Sequence, residues 1–522
     1  VYTQRKGFSE FVSAGRKNYI STSMDQLFAG SVDGLTNDGS AAESASMGYV
    51  GRLKYDYLSK YIIEFSGRYD GNDNFHPDKR WGFFPAVSAV WMISDENFMQ
   101  KLNDKNILNS LKLRASYGET GISDGVTRFG YMALYNQGAM KEYYNAGNIL
   151  NVTFSEGNLV NPLALTWYTR KSFNVGFDFA SLNNRLEGSL DYFYYKTSGY
   201  LMSPNNIYAT TLGKPLPEIT SGSKHRRAGF ELNLRYKEKR GNWYYEIGGN
   251  ISYYNQLWEQ LDSEDLATLK NPYTRQTHEK DYFYSMYLSD GLFQNKEQIL
   301  NSPRPLPSTE TSMGDIKYID ANGDGKIDSN DMRRVGQPSM PHLNYGFDFR
   351  VEYKGWSLSA LFQGTGDRYI AMGQQMQRGD YASVITKFQA DYWTPENTDA
   401  RFPRVTKAGY PNGENNALVT DFFNMNAKYF RLKNLQISYN LKRDLLKNCN
   451  FIQGCRITLS GTNLFTVSDV LDFTDPEAKM IEPDKIEKNL RSISGASYPV
   501  FRTYSLGPVS YTHLRAHETE LH

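Results

Sequence analysis

The sequence has few cysteines and almost no net charge. Two cysteines in 522 residues are too few for a scaffold held together by disulfides. Cys449 and Cys455 enclose the short segment CNFIQGC, and both a local disulfide and two unpaired thiols remain open at this point. Lys and Arg total 58, Asp and Glu total 57, and the net charge is +1. This balance gives no electrostatic reason to expect a nucleic-acid partner.

Long apolar runs are also missing. The longest, residues 83–93, has about half of the roughly 20 residues that a membrane-spanning helix needs, and Pro85 interrupts it. The first residues, VYTQRKGFSE, include no apolar signal core and no cleavage site, so we expect any export signal upstream of Val1. A membrane protein built from helices is therefore not expected.

Several enzyme motifs are absent as well. We find no Walker A motif, no H-E-x-x-H zinc motif and no dinucleotide fingerprint. The segment HETEL lacks the second His at the required spacing, and GTGDRY lacks the third Gly. No spacing of carboxylates points to a glycosidase pair. We predict that the protein is not an enzyme.

Strict alternation of apolar and polar residues is the clearest pattern that is present. It is typical of strands with one apolar and one solvated face. In GFDFRVEYK, the apolar face carries Phe347, Phe349, Val351 and Tyr353. The polar face, which we expect to line the interior of a barrel, carries Asp348, Arg350, Glu352 and Lys354. The segments SFNVGFDF and FELNLRYK repeat the pattern, and aromatic residues make up 14% of the chain.

The strand candidates, roughly thirteen or fourteen in number, come in pairs joined by short polar turns. Turns are expected near residues 58–60, 183–184, 240–242 and 354–355. Long segments with little alternation separate the pairs, at about 13–45, 118–165, 197–224, 256–340, 364–420 and 466–498. Short turns that alternate with very long loops are typical of outer-membrane barrels, in which the long loops are extracellular.

These patterns predict an all-β fold, a transmembrane antiparallel β-barrel with long extracellular loops. Backbone groups in hydrocarbon have no water to bond, so a spanning sheet must close on itself. A soluble sandwich is the alternative, since its strands also alternate. The barrel is favoured because Phe and Tyr, rather than Val, Ile and Leu, recur on the apolar faces.

One segment, DANGDGKIDSND, has the spacing of a calcium loop. The predicted ligands are Asp320, Asn322, Asp324, Lys326 through its carbonyl, Asp328 and Asp331. Asp at the last position, in place of Glu, shortens the reach of that carboxylate. We expect a structural Ca²⁺ that orders a long loop with little apolar area to bury. The alternative is an Asx-rich turn that is held by bonds from side chains to the backbone.

Several segments follow one another as they do in one protein family. They are GYVGRLKYDYLSKYIIEFSGRYDGNDNF, RWGFFPAVSAVWMISDENFM, LKLRASYGETG, LTWYTRKSFNVGFDFASLNNRLEGSLDYFYYKTSGYL, DGLFQNKEQI, GDIKYIDANGDGKIDSNDMRRVG, YWTPENTDARFPR, YFRLKNLQISYNL, ITLSGTNLF and RTYSLG. From about residue 46 to Gly507, the chain therefore resembles the SusC-like (RagA/SusC) family of TonB-dependent outer-membrane transporters of Bacteroidota.

The resemblance implies a 22-stranded barrel, of which this chain supplies the C-terminal strands. The N-terminal plug, the TonB-contacting box and the first strands would lie upstream, so the barrel portion, residues 1–507, would have two unpaired edges. Residues 508–522 depart from the family pattern, because they begin with Pro and carry three of the seven His. We predict that they are a non-native or aberrant tail, which leaves the pairing of the final strand open.

The resemblance also implies a function and partners. The implied function is import of an oligosaccharide (a glycan) or a peptide across the outer membrane. The implied partners are a SusD-like surface lipoprotein and the TonB–ExbB–ExbD complex, which would supply energy through the missing N-terminal part. No residue is assigned to the substrate. Two other hypotheses remain, a soluble extracellular calcium-stapled β-protein that binds or hydrolyses glycans, and a passive porin.

Overall fold

The structure is a computed structural model. It describes residues 1–19, 21, 23, 26–126, 128–132, 135–145, 148–156, 163–202, 219–279, 284–306, 309–335, 340–372, 390–406, 411–441, 452–477, 492–493 and 500–512. Across these residues, helices are short, and we find none with the length and apolar character needed to cross a membrane.

Fourteen strands form one large antiparallel sheet. They are β1 (Tyr2–Lys17), β2 (Ser31–Tyr57), β3 (Tyr61–Asn72), β4 (Trp81–Met92), β5 (Leu108–Ile122), β6 (Tyr168–Ser181), β7 (Leu186–Ser198), β8 (Lys224–Arg240), β9 (Trp243–Gln260), β10 (Leu343–Tyr353), β11 (Trp356–Thr365), β12 (Tyr429–Asn440), β13 (Ile452–Val467) and β14 (Thr503–Thr512). Each strand pairs with the next one along the chain. The all-β antiparallel prediction and the expected number of strands are confirmed.

Smaller elements lie in the connections. The short strands are Tyr135–Asn145, Asn148–Glu156, Leu201–Met202, Ile219–Thr220, Tyr284–Met286, Ser289–Leu292, Ile316–Tyr318, Arg333–Val335, Tyr369–Met372, Asn424–Asn426 and Ser492–Ile493. The α-helices are Gln100–Asp104, Leu266–Lys270, Lys296–Leu300 and Pro411–Glu414. The 3₁₀ turns are Leu27–Ala29, Pro77–Lys79, Ile93–Asp95, Asn97–Met99, Ser329–Asp331, Asn415–Ala417 and Asp421–Phe423.

Tight turns join β2 to β3, β6 to β7, β8 to β9 and β10 to β11, as the sequence predicts. Asn183 and Asn184, in the four-residue turn between Ser181 and Leu186, have φ angles of 60° and 59°, a left-handed conformation that Asn tolerates. These four tight turns lie at one end of the sheet, and the longest connections lie at the other end, which we call the mouth.

The two faces of the sheet differ in chemistry. On the outer face, Phe362 contacts Phe347 at 6.0 Å and Phe430 at 5.4 Å between ring centroids. Near the tight turns, Trp243 stacks on Tyr353 at 4.2 Å, which matches the aromatic girdle of membrane barrels. On the inner face, Asp348 pairs with Arg235 at 3.4 Å. The predicted alternation in β10 is confirmed up to Tyr353, where the strand ends.

The last strand extends beyond the predicted boundary at Gly507. β14 runs to Thr512, and Pro508 lies opposite Ile457 of β13. The pairing of the final strand, which the sequence left open, therefore continues through Pro508, whereas the non-native origin of 508–522 stays a prediction. Cys455 has no disulfide partner within the described residues, but Cys449 lies outside them, so their pairing stays open.

The outer face of β9 provides a test of the membrane assignment. Ile251 is 41% exposed on the outer face near the middle of the strand, whereas its neighbour Asn250 points to the inner face. We expect Ile251→Arg to lower the free energy of unfolding by about 2–4 kcal/mol, because it places a charge in hydrocarbon. The loss is measured as a lower temperature for the heat-dependent shift in gel migration of the full-length protein. Asn250→Arg is the matched control, and equal effects of both substitutions would contradict the assignment.

Candidate functional site

Two of the long connections pack together at the mouth around a hydrophobic core, which we call the cap core. It consists of Tyr287, Leu292, Ile316, Tyr318, Ile327, Ile370, Met372, Trp393, Phe402, Phe423, Ala427 and Val470. These residues come from the β9–β10 and β11–β12 connections and from the segment after β13. The expectation that these loops bury little apolar area is therefore wrong.

A buried ion pair joins two of the sequence motifs. Asp315, in GDIKYI, is fully buried, and its Oδ1 lies 2.7 Å from Nε of Arg404, in DARFPR. The Asn416 amide also donates to Asp315 Oδ1, at 2.8 Å. Burial raises the pKa of Asp315, although Arg404 opposes this shift. An unpaired charge at this position would be costly, so the pair fixes how the two loops meet.

Trp393, in YWTPEN, brings a third motif to the same place. Its indole N–H donates to Gln294 Oε1 of the DGLFQ segment at 3.0 Å. Its ring covers Gly314, where φ is +84° and an added Cβ would lie 2.4 Å from a ring atom. Glycine is required at this position by both backbone conformation and space. Motifs about 100 residues apart in sequence thus form one compact cap.

The predicted ion loop lies at the edge of this cap. Asp320 Oδ1 accepts the amide of Gly323 at 2.6 Å, and its Oδ2 accepts that of Gly325 at 2.7 Å. Partial desolvation acts to raise the pKa of Asp320, but these amide bonds outweigh it and lower that pKa. Ile327, between the predicted ligands, is 6% exposed and belongs to the cap core. The loop is anchored by an apolar side chain as well as by polar bonds.

The end of the loop is closed by a reciprocal capping arrangement. Asp328 accepts the amide of Asn330 at 2.8 Å, and Asp331 accepts the amide of Asp328 at 2.8 Å. Asp331 is fully buried and also accepts the amide of Ala321 at 3.0 Å. Both carboxylates thereby satisfy backbone N–H groups that would otherwise lack partners.

The Lys326 side chain supplies a cation within the loop. Its Nζ lies 2.8 Å from Asp328 Oδ2 and 3.7 Å from Asp324 Oδ2. Asn322 Oδ1 accepts the amide of Asp324 at 2.8 Å. The donor types suit a hard cation, yet in the part of the chain that the structure describes, no three Asp, Glu, His or Cys residues converge on a metal position. The observed geometry is that of a turn held by its own side chains.

The inner wall below the cap is lined by paired charges. Arg114 donates to Asp178 at 2.9 Å and to Asp191 at 2.7 Å, which joins three neighbouring strands. Arg350 pairs with Glu352 on β10. Lys354 lies in the turn after β10, with a φ of 42°, so its placement on the inner face is wrong.

One charged cluster of the inner wall was missed by the sequence analysis. Arg431 of β12 is 1% exposed and pairs with Asp475 and Glu477. A signal was present in YFRLKNLQISYNL, since Arg431 alternates with the outward Phe430 and must face inward if that strand spans the membrane. Its partners could not be found, because they lie in a loop without periodicity.

Residues 9–464 match the family model described as TonB dependent receptor-like, beta-barrel. The chain is 30% identical to TonB-dependent receptor P26 of Formosa agariphila over 91% of this chain and 46% of that protein. It is 25% identical to TonB-dependent receptor SusC of Bacteroides thetaiotaomicron over 90% of this chain and 44% of that protein. The chain thus spans about half the length of the curated relatives it matches.

Solved structures show the same fold. The structure of the RagAB peptide transporter superposes with a TM-score of 0.69 and 21% identity, over 98% of this chain and 53% of that chain. The open-open state of the RagAB peptide importer gives a TM-score of 0.70. Its outer face, its tight turns and these matches together place the sheet in the outer membrane. The chain belongs to the TonB-dependent receptor-like β-barrel family, as a SusC-like member.

Proposed function

We propose that the chain is the barrel portion of an importer that carries an oligosaccharide or a peptide across the outer membrane. The observation that carries the proposal is the sheet itself, with an apolar outer face and an inner wall of paired charges that a polar solute can pass. Similarity to SusC and to a peptide transporter supports both substrate classes. The protein binds its solute and releases it chemically unchanged.

We further propose two partners, a SusD-like surface lipoprotein and the TonB–ExbB–ExbD complex. The compact cap provides a rigid surface at the mouth against which a lipoprotein can close. The TonB contact would be made by the part of the protein upstream of this chain. Outer-membrane lipid covers the outer face.

Energy-dependent uptake is the test of this function. Cells that produce the full-length protein are given a panel of labelled oligosaccharides and oligopeptides, and uptake of each is measured with and without tonB. We expect saturable uptake of one class, lost without tonB. Uptake that is independent of tonB would favour a passive porin. Cleavage of the probe by the purified protein would favour an enzyme, and both results contradict the proposal.

We also propose that Ca²⁺ binds the loop formed by Asp320, Asn322, Asp324, Lys326, Asp328 and Asp331. Spacing and donor type support it. In this account, the ion replaces the Lys326 ammonium as the counter-charge of Asp324 and Asp328, which lie 3.7 and 2.8 Å from it.

Calcium titration with limited proteolysis tests the ion. Added Ca²⁺ should slow protease cutting between residues 310 and 335 of the full-length protein, because ion binding stabilises the ordered loop. Asp320→Asn should abolish this protection. Asp290→Asn is the control, since Asp290 is an acid of the cap that bonds Lys317 at 2.6 Å outside the loop. If the rate of cutting does not change with Ca²⁺, the proposed ion site is contradicted, and the loop is a turn held by its own side chains.

The acidity of the loop gives a prediction about pH. A hydrogen bond from Lys326, with help from the amide of Asn330, lowers the pKa of Asp328 below its ordinary 3.8. A lowered folded-state pKa adds stability that is present above the ordinary value and is lost as pH falls through the lowered one. Pepsin cutting of the loop should therefore rise as the pH falls below about 3.8. Lys326→Met should raise cutting already above that pH and make the rise at lower pH smaller, because it removes the bond that separates the folded and unfolded pKa values of Asp328. An identical profile for the variant would contradict this account.

A further inference from the structure

The segment that follows β13 folds back against the barrel wall at the mouth. We call residues Val470–Glu477 the strap. Val470 and Pro476 are fully buried, and Val470 belongs to the cap core. The strap is therefore packed at both ends rather than extended into solvent.

The strap lies on the inner side of the wall. Phe430 of β12 stacks on Phe362 of the outer face at 5.4 Å, so its neighbour Arg431 points inward. Arg431 Nε donates to Thr466 Oγ1 at 2.8 Å, which holds the guanidinium flat against β13. Every strap residue bound by Arg431 is consequently inside the barrel mouth.

A buried charge cluster holds the end of the strap. Arg431 Nη2 lies 2.5 Å from Asp475 Oδ2, and Arg431 also pairs with Glu477. Lys433 Nζ lies 2.7 Å from Glu477 Oε2, and the Tyr429 hydroxyl donates to Glu477 Oε1 at 3.0 Å. These three partners of Glu477 all come from β12.

The connection that follows β11 also binds the strap. Arg368, just after β11, donates to the Pro476 carbonyl at 2.6 Å. At the other end, Arg401 lies 4.1 Å from the Phe473 ring and 3.7 Å from Asp472 Oδ2, but its side chain is 49% exposed. The strap thus has one desolvated ionic attachment and one solvated attachment, both made by arginine.

Losing the Arg431 attachment should destabilise the bound strap much more than losing the Arg401 attachment. A buried ion pair that loses one partner leaves an uncompensated charge and is strongly destabilised, whereas an exposed pair contributes little. Loss of Arg431 leaves the mostly buried Asp475 without its cationic partner, whereas Glu477 keeps its pair with Lys433. Escape of the strap into solvent removes that cost, so loss of Arg431 favours release of the strap.

We propose that the strap is a releasable element that narrows the mouth from inside, and that Arg431 is its latch. In the bound state, the strap occupies part of the inner wall along which a solute would enter. In the released state, this part of the wall is free. The narrowing of a solute path rests on the proposed function, whereas release can be measured without any substrate.

Release is measured by the reactivity of a buried thiol in the full-length protein. Cys449 and Cys455 are replaced by Ser, and Val470→Cys places a thiol of similar size at a fully buried position. The rate of labelling by a polyethylene-glycol maleimide then follows the released population. We expect Arg431→Gln to raise the rate at least about tenfold, and Arg401→Gln, the matched control, to change it less than about twofold.

Glu477→Gln is a second variant that retains the Arg431–Asp475 pair and should give a smaller rise. Heat-dependent gel migration identifies any variant that fails to fold. If Arg431→Gln fails to fold, the labelling rate of Glu477→Gln alone tests whether the charge cluster holds the strap. Labelling of both variants at the parent rate, or an equal rise with Arg401→Gln, overturns the latch. If a variant releases the strap faster but imports labelled solutes only up to the same size as the parent, the proposal that the strap narrows the mouth is overturned. Loss of import by the parent protein itself would instead overturn the proposed function.

Discussion

The pairing of backbone N–H and C=O groups in a medium without water is the constraint on which the rest of this structure depends. Fourteen strands satisfy this constraint because each pairs with the next. In the described sheet, unpaired backbone N–H and C=O groups form a row only along the outer edges of β1 and β14. Since alternate residues then face opposite sides, the same ladder that satisfies the backbone also separates lipid from the inner wall. The paired charges of that wall, such as Arg114 with Asp178, follow from this separation.

The cap is stabilised differently, because it lies in water and is held together by a buried hydrophobic core of its own. The cap core and the buried Asp315–Arg404 pair show that the β9–β10 and β11–β12 connections fold as one unit rather than as separate loops. The ion loop is part of this unit through Ile327, which explains how it can be ordered by its own side chains. Calcium would then adjust an existing arrangement rather than create it.

Local patterns predicted the parts of the fold that local chemistry determines. The alternation of β10 and the left-handed Asn183–Asn184 turn could be predicted because each depends on neighbouring residues. The contact of Trp393 with Gln294 and that of Arg431 with Glu477 could not, because they join residues 99 and 46 positions apart. The ligand spacing of the ion loop was visible, but the position of the Lys326 ammonium depends on side-chain geometry that no spacing encodes.

The central claim is that alternate residues of the strands face lipid and the barrel interior. Spin labels placed one at a time along β8, from Phe230 to Tyr236, test it in the full-length protein in bilayers. Collisions with oxygen, which concentrates in lipid, should peak at Phe230, Leu232, Leu234 and Tyr236. Collisions with a water-soluble nickel complex should peak at Glu231, Asn233 and Arg235. Accessibilities without this two-residue period, or oxygen maxima at the polar positions, would contradict the account.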